Sequence, residues 1–254
     1  MLLAIDVGNS NVVIGCLDGA KIVKEFRMVT DTLKTEDEYA AGIKSIFDFN
    51  GINTDDFTGS VISCVVPPLT NVFKAAAKSL TGASAFVIGS GIKTGLNILI
   101  DNPAELAADM VASAVGALAG YPAPLITIDM GTATKICAID VNKGFLGGAI
   151  CPGIAISSDA LTRGASLLPR VLIEAPKKAI SSGTRECMQS GIVFGAASMI
   201  DGMIARFEQE LGMKATVVAT GGLAAQIIPY CNTEIVHDPH LILNGLRVLY
   251  EKNK

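Results

Sequence analysis

The chain has 254 residues and a mass of 26.3 kDa; half of its residues are hydrophobic and 17% are charged. That balance excludes a disordered chain and suits one large domain or two compact halves. The formal net charge is −4 and the pI about 5.2, with no basic run longer than Lys177-Lys178, so neither nucleic acid nor an anionic membrane is expected as a partner.

The chain opens on an apolar β-type run that ends in Asp6-Val7-Gly8-Asn9-Ser10-Asn11 and resumes as a second such run over 12–17. Small turn residues between two β-type runs predict a strand, tight turn, strand unit. Helical patterning follows over 36–49 and a short strand over 60–66. Residues 85–88 read as a strand. The glycine-rich stretch 89–95 reads as a plain loop, because it lacks the Gly-Lys-Ser/Thr ending of a phosphate loop and runs into a β-type segment at 96–100. Pro103 is suited to opening a helix that carries Glu105 and Asp109. No lysine or arginine lies near Asp109 in sequence, and a carboxylate on an apolar segment is costly to bury unpaired, so it is a candidate functional group. Glu105, one turn earlier, is either its rival or part of a solvated helix face.

Residues 110–128 carry no charge, a length that just spans a bilayer. Gly116, Gly120, Pro122 and Pro124 interrupt the stretch, and it is expected to be a buried helix, a proline turn and a buried strand. The start has no basic segment and Asp6 breaks its first apolar run, so no signal peptide is expected and the protein is expected in the cytoplasm. The strand leads into Asp129-Met130-Gly131-Thr132-Ala133-Thr134 and a β-type run over 136–139, a second copy of the opening unit displaced by 123 residues. Helical patterning over 192–211 and a β-type run over 215–219 follow. Gly221-Gly222 then either leaves room under a base or ribose or forms a simple turn. The six cysteines have no C-x-x-C spacing and read as buried free thiols. Pro239 between His237 and His240 argues against a shared metal.

Duplication at half-chain spacing implies two similar α/β domains, 1–119 and 120–254, with a ligand cleft between them. Gly8 and Gly131 allow close approach of a ligand, the adjoining amides and hydroxyls can donate to phosphate oxygens, and an Asp at the strand end can hold a hydrated cation.

Six further segments accompany the two turns: Ser63-Cys64-Val65-Val66-Pro67, Asp101-Asn102-Pro103, Gly147-Gly148-Ala149-Ile150-Cys151-Pro152-Gly153, Ser166-Leu167-Leu168-Pro169, Met188-Gln189-Ser190-Gly191 and Thr220-Gly221-Gly222. In this order, over nearly the whole chain, they resemble the type III pantothenate kinase family, within the superfamily of acetate and sugar kinases, heat-shock ATPases and actin. The resemblance implies two ribonuclease H-like (actin-like ATPase) domains with a nucleotide cleft, and transfer of the γ-phosphoryl of ATP to pantothenate, the first committed step towards coenzyme A. It implies ATP binding by Asp6, Val7, Gly8, Asn9, Ser10, Asn11, Val12, Val13 and Thr132, with Asp6 at the Mg2+. It further implies a monovalent cation, K+ or NH4+, at Asp129, and Asp109 as proton acceptor. The acceptor pocket would comprise Ile100, Ala107, Ala108, Asp109 and Met110, with Thr184 contributed across a homodimer interface that shares the active site. Small residues over 191–198 suit close helix packing there.

The departures from that family's pattern fall mostly on the pocket. Ile100 stands for a usual tyrosine, Ala107 for glycine, Met110 for arginine, Ser113 for asparagine and Lys135 for threonine, and Ser182-Gly183 stand for a common Lys-Asn pair. Arginine is the natural partner of a carboxylate substrate, and methionine cannot replace it. Lys135 and Arg185 are the candidate sources of the missing charge. Two alternatives stand beside pantothenate phosphorylation: a related kinase for a different, less anionic alcohol, and an inactive nucleotide-binding regulatory paralogue. Met110 favours both and Asp109 disfavours the second.

Overall fold

A computed structural model describes residues 1–254. In chain order the elements are β1 (Leu2–Val7), β2 (Asn11–Asp18), β3 (Lys21–Val29), α1 (Glu36–Phe49), β4 (Gly59–Cys64), α2 (Leu69–Thr81), β5 (Phe86–Val87), β6 (Asn97–Ile98), α3 (Ala108–Gly120), β7 (Leu125–Met130), β8 (Ala133–Ile139), β9 (Gly144–Pro152), α4 (Ile154–Gly164), α5 (Thr184–Leu211), β10 (Thr216–Thr220), α6 (Ala224–Ile227), β11 (Val236–His237) and α7 (Leu241–Asn253). They form two compact units that are not contiguous in sequence. One comprises Met1–Gly95, Asn102–Ala119 and Leu241–Lys254; the other comprises Leu96–Asp101 and Gly120–His240.

The first unit is built on a sheet in the order β3-β2-β1-β4-β5, antiparallel across β3, β2 and β1 and parallel from β1 to β5. On one face Leu3, Ile5 and Val7 of β1 join Ile14 and Ile62 against two helices. α1 presents Tyr39, Ile43 and Phe47 at four-residue spacing, the period that puts side chains on one helical stripe. A capping box fixes where it starts: Thr35 accepts from the Glu38 amide while the Glu38 carboxylate accepts from Thr35. Those bonds hold the Glu38 carboxyl below its usual range. α2 adds Leu69, Phe73, Ala76, Ala77 and Leu80. On the other face α7 lies across β1 and β4; Leu243 Cδ1 comes within 2.9 Å of where a Cβ on Gly15 would stand.

The second unit repeats the plan. Its sheet runs β11-β10-β7-β8-β9-β6, so the order β9-β8-β7-β10-β11 matches β3-β2-β1-β4-β5 strand for strand in direction as well as sequence, with β6 added beside β9. The duplication read from the two turns therefore extends to the whole sheet. Ile126, Ile128, Met130 and Ile136 face α5, which buries Met188, Ile192, Val193, Ala197, Ile200 and Ile204. Asp201, on this helix, is partly desolvated, which raises its pKa, but hydrogen bonds from Asn232 and Thr233 outweigh that and hold it below the usual carboxylate range.

The uncharged stretch over 110–128 is a 13-residue helix, a turn and the buried strand β7. Only α5 is long and apolar enough by length and composition to cross a membrane, and its apolar stripe belongs to the core just described. All six cysteines are free. Burial pushes the Cys16 thiol up to about 12, and burial with the Asp201 charge pushes Cys231 up to about 11, which leaves both as inert packing groups. Against the expectation of burial, only Cys16 and Cys137 are buried; Cys64, Cys151 and Cys231 are partly buried and Cys187 is exposed.

Candidate active site

The first Asp-x-Gly turn joins β1 to β2. Gly8 donates its amide to the Asn11 carbonyl at 3.0 Å, and Thr30, just past β3, donates its hydroxyl to the Gly8 carbonyl at 2.7 Å and its amide to the Ser10 carbonyl at 3.1 Å. Three carbonyls of the turn are thus engaged inside the protein. That matters for an anion site, since carbonyl oxygens facing a phosphate repel it while amides and hydroxyls attract it. Asn9, Ser10 and Asn11 are exposed, whereas Val7 and Val12 are buried and anchor the turn to the core. Asp6 is partly buried, pairs in register with Val13 across β2 and has Ser63 of β4 beside it on the same sheet face. The Ser63 hydroxyl is fully buried and makes no hydrogen bond.

The second turn, between β7 and β8, is built alike but is one residue shorter. Val7 pairs with Val12, whereas Met130 pairs with Thr134. Gly131 donates to the Ala133 carbonyl at 3.2 Å. The shortened turn sets Asp129 opposite Lys135, and the Lys135 ammonium lies 2.7 Å from Asp129 Oδ2, with the two side chains 15% and 18% exposed. On the other side Asp129 is in register with the buried Thr220 of β10. Of the two candidate sources of positive charge, Lys135 is thus paired with Asp129, and Arg185 is exposed at the start of α5.

Two neighbours of this turn carried weaker sequence signals. Gly221 has φ of +101°, and a Cβ there would lie 2.6 Å from the Met130 backbone, so glycine is required where β10 ends beside the turn. The start of α4 is the second: a Cβ on its N-cap Gly153 would collide with the Thr132 carbonyl. The Gly-rich run before it concealed that helix start, because its strand and its cap share one composition.

Asp109 occupies the first turn of α3 and is 8% exposed, and its Oδ1 accepts the Met110 amide at 2.7 Å. The helix expected from Pro103 is only a 3₁₀ turn, Pro103–Glu105, ended by an extended Leu106 before α3 begins. The Asn102 side chain caps the start of that turn, taking the Ala104 amide and donating to Glu105. Glu105 is exposed there and held by Asn102, which fits a solvated face and not a buried base. Ala107, Ala108 and Met110 are half-buried around Asp109, and the buried Ser113 hydroxyl, one turn on, has no partner. Ile100 is half-buried beyond β6, with its Cγ2 3.6 Å from where a Cβ on Gly147 would be, and Thr184 is the exposed first residue of α5.

Two units with one strand order, each ending its central strand in an Asp-x-Gly turn, define the class as actin-like. Solved structures of that build bear this out. MreB 5 of Spiroplasma citri, bound to AMPPNP, superposes with a TM-score of 0.55 over 98% of this chain and 96% of its own, at 11% identity. Component A of (R)-2-hydroxyglutaryl-CoA dehydratase from Acidaminococcus fermentans gives 0.57 over 98% and 96%, at 16% identity. At such identity the likeness concerns the fold alone.

Sequence comparison is more specific. The profile of type III pantothenate kinase matches residues 2–206, and the type III pantothenate kinase of Exiguobacterium sibiricum is 43% identical over 254 residues, the full length of both chains. The chain belongs to the type III pantothenate kinase family.

Proposed function

We propose that this chain transfers the γ-phosphoryl group of ATP to the primary hydroxyl of pantothenate, the first committed step of coenzyme A biosynthesis. The observation that carries the reading is Asp109: in a chain of this family, a buried carboxylate stands at the start of α3 with Met110 bonded to one of its oxygens. Phosphoryl transfer needs positioning, charge neutralisation and one acceptor for the hydroxyl proton. Asp109 takes that proton. The turn from Asp6 to Val13 binds ATP phosphates through Asn9, Ser10, Asn11 and its amides, and Thr132 donates to phosphate from the second turn. Ile100, Ala107, Ala108 and Met110 contact the acceptor, as does Thr184.

The residues around Asp6 suit a divalent cation carried with ATP, for which we propose Mg2+. A carboxylate with an unpartnered hydroxyl beside it, Ser63, matches an ion that keeps several waters and is bound through one or two carboxylates plus phosphate. When bound, it offsets the charge of the β- and γ-phosphates. Asp129 does not suit a free K+ or NH4+ in the same way, because Lys135 already lies against it. A homodimer is supported by apolar side chains left in solvent on the second unit, with Ile180 at 92%, Leu167 at 90% and Ile150 at 72% exposure. The cytoplasm, where ATP is made, is the compartment proposed.

ADP release with and without pantothenate tests the proposal. Pantothenate-stimulated release that falls at least a hundredfold in Asp109→Asn, with the melting temperature kept, supports it; no stimulation by pantothenate overturns it. Met110 favours a second reading, a kinase for a less anionic alcohol. If Met110→Arg lowers the KM for pantothenate about tenfold or more, methionine has cost the pocket a carboxylate partner. An unchanged KM places that partner elsewhere.

A further inference from the structure

We infer that Lys135 is a built-in monovalent cation at the second Asp-x-Gly turn, so that this chain takes no exchangeable K+ or NH4+ at Asp129 and turns over without either. The activity arm of this inference rests on the kinase reading above; the binding arm does not.

Backbone register puts the lysine there. The first turn spends four residues between Val7 and Val12 and leaves Asp6 facing Val13; the second spends three between Met130 and Thr134, which brings the residue six beyond the aspartate directly opposite it. Residues paired in this way across antiparallel strands project to the same sheet face with their Cβ atoms about 5 Å apart. Lys135 is thus aimed at Asp129 by the turn length. The resulting contact of 2.7 Å is a charge-assisted hydrogen bond, and both groups are less than a fifth exposed, unlike a solvated surface pair.

A free monovalent ion at the same place meets two obstacles. One oxygen of the carboxylate is already occupied by an ammonium, and a second cation on the other oxygen would sit within a few ångströms of a like charge. The neighbour on the β10 side is Thr220, which carries no charge, and the chain has no group of three or more His, Cys, Asp or Glu side chains that could hold a metal ion. Chemically the two species are alike. A lysine head is a substituted ammonium ion with three donors, held by its stem at a fixed place and without loss of binding entropy from solution. The departure from threonine at position 135 and the aspartate opposite it are then parts of one arrangement.

The test uses the full-length protein exchanged into buffer whose only added cations are sodium or choline, with Mg-ATP. At constant ionic strength, ADP release with pantothenate is expected to change less than twofold on adding KCl or NH4Cl. Lys135→Thr is expected to lose at least tenfold without those salts and to regain most of it with ammonium or potassium. A readout independent of turnover is thallium(I) binding followed by its own nuclear magnetic resonance in nitrate buffer. Wild type should show no saturable binding and Lys135→Thr should show it; Lys135→Gln serves if the threonine variant does not fold. Wild-type turnover raised tenfold by potassium or ammonium, or saturable thallium binding to wild type, overturns the inference. Absence of pantothenate turnover under every cation would sink the kinase reading alone and leave the thallium measurement to decide this one.

Discussion

Thr30 holds the first Asp-x-Gly turn from outside the motif. Its hydroxyl and amide together occupy the carbonyls of Gly8 and Ser10, and a single neutral hydrogen bond of this kind contributes about 1 kcal/mol. Thr30→Val keeps the shape and removes the hydroxyl, leaving the Gly8 carbonyl able to turn towards phosphate. The expected outcome is a KM for ATP raised about fivefold, with kcat for pantothenate little changed, since about 1.4 kcal/mol corresponds to tenfold in an equilibrium. Steady-state kinetics with varied ATP checks it; a KM that does not move shows that the turn needs no such brace. At this scale the sequence is legible where a local pattern of residue types carries the signal. The two turns and Asp109 declared themselves by Asp-x-Gly repetition and by a carboxylate in an apolar run. Thr30 and the Lys135–Asp129 pair did not, because both depend on strand register across β2 and β3 or β7 and β8.

Helices α3 and α7 cross at bare backbone. A Cβ on Gly116 would collide with the Leu241 carbonyl, and one on Gly245 with the Ala112 carbonyl, so two glycines let the helices approach to backbone contact. Gly245→Ala should therefore destabilise, since one methyl in a filled contact costs about 1–3 kcal/mol where the surroundings cannot yield, and backbone yields poorly. Gly202→Ala, on the exposed side of α5 with nothing within 4 Å, should stabilise by up to about 1 kcal/mol through helix propensity. Urea unfolding midpoints of the two variants should move in opposite directions; equal shifts would refute the close-crossing account. The same contrast explains which elements could be read in advance. Residues 36–49 carry their own capping box and a four-residue apolar period, and the helix observed spans the predicted residues. Neither β9, with its internal glycines, nor α7 had such a local signature. What defines them is pairing with β8 in one case and burial against β1 and α3 in the other.

The whole chain is a duplication whose bookends do not match its sequence halves. Both sheets share one strand order, yet the last fourteen residues, Leu241–Lys254, belong to the first unit, and Leu96–Asp101 to the second. The C-terminal segment buries Leu241, Leu243, Leu246 and Leu249 almost completely. Each such side chain contributes roughly 1.5–3 kcal/mol, so four are comparable with the entire stability of a domain, about 5–15 kcal/mol. Polar ties add to them: Asn253 and Lys252 bond to the backbone of Lys93 and Thr94. Ending the chain at His240 should then damage the first unit, whose sheet it uncovers, and not the second, which lies next to the cut in sequence. Hydrogen exchange followed by mass spectrometry distinguishes the two. Amides of β1 and β4 should lose protection by orders of magnitude while those of β7 and β10 keep most of theirs. Protection lost first in β7 and β10 would place the C-terminal helix with the second unit and restore the simple division into halves at residue 120.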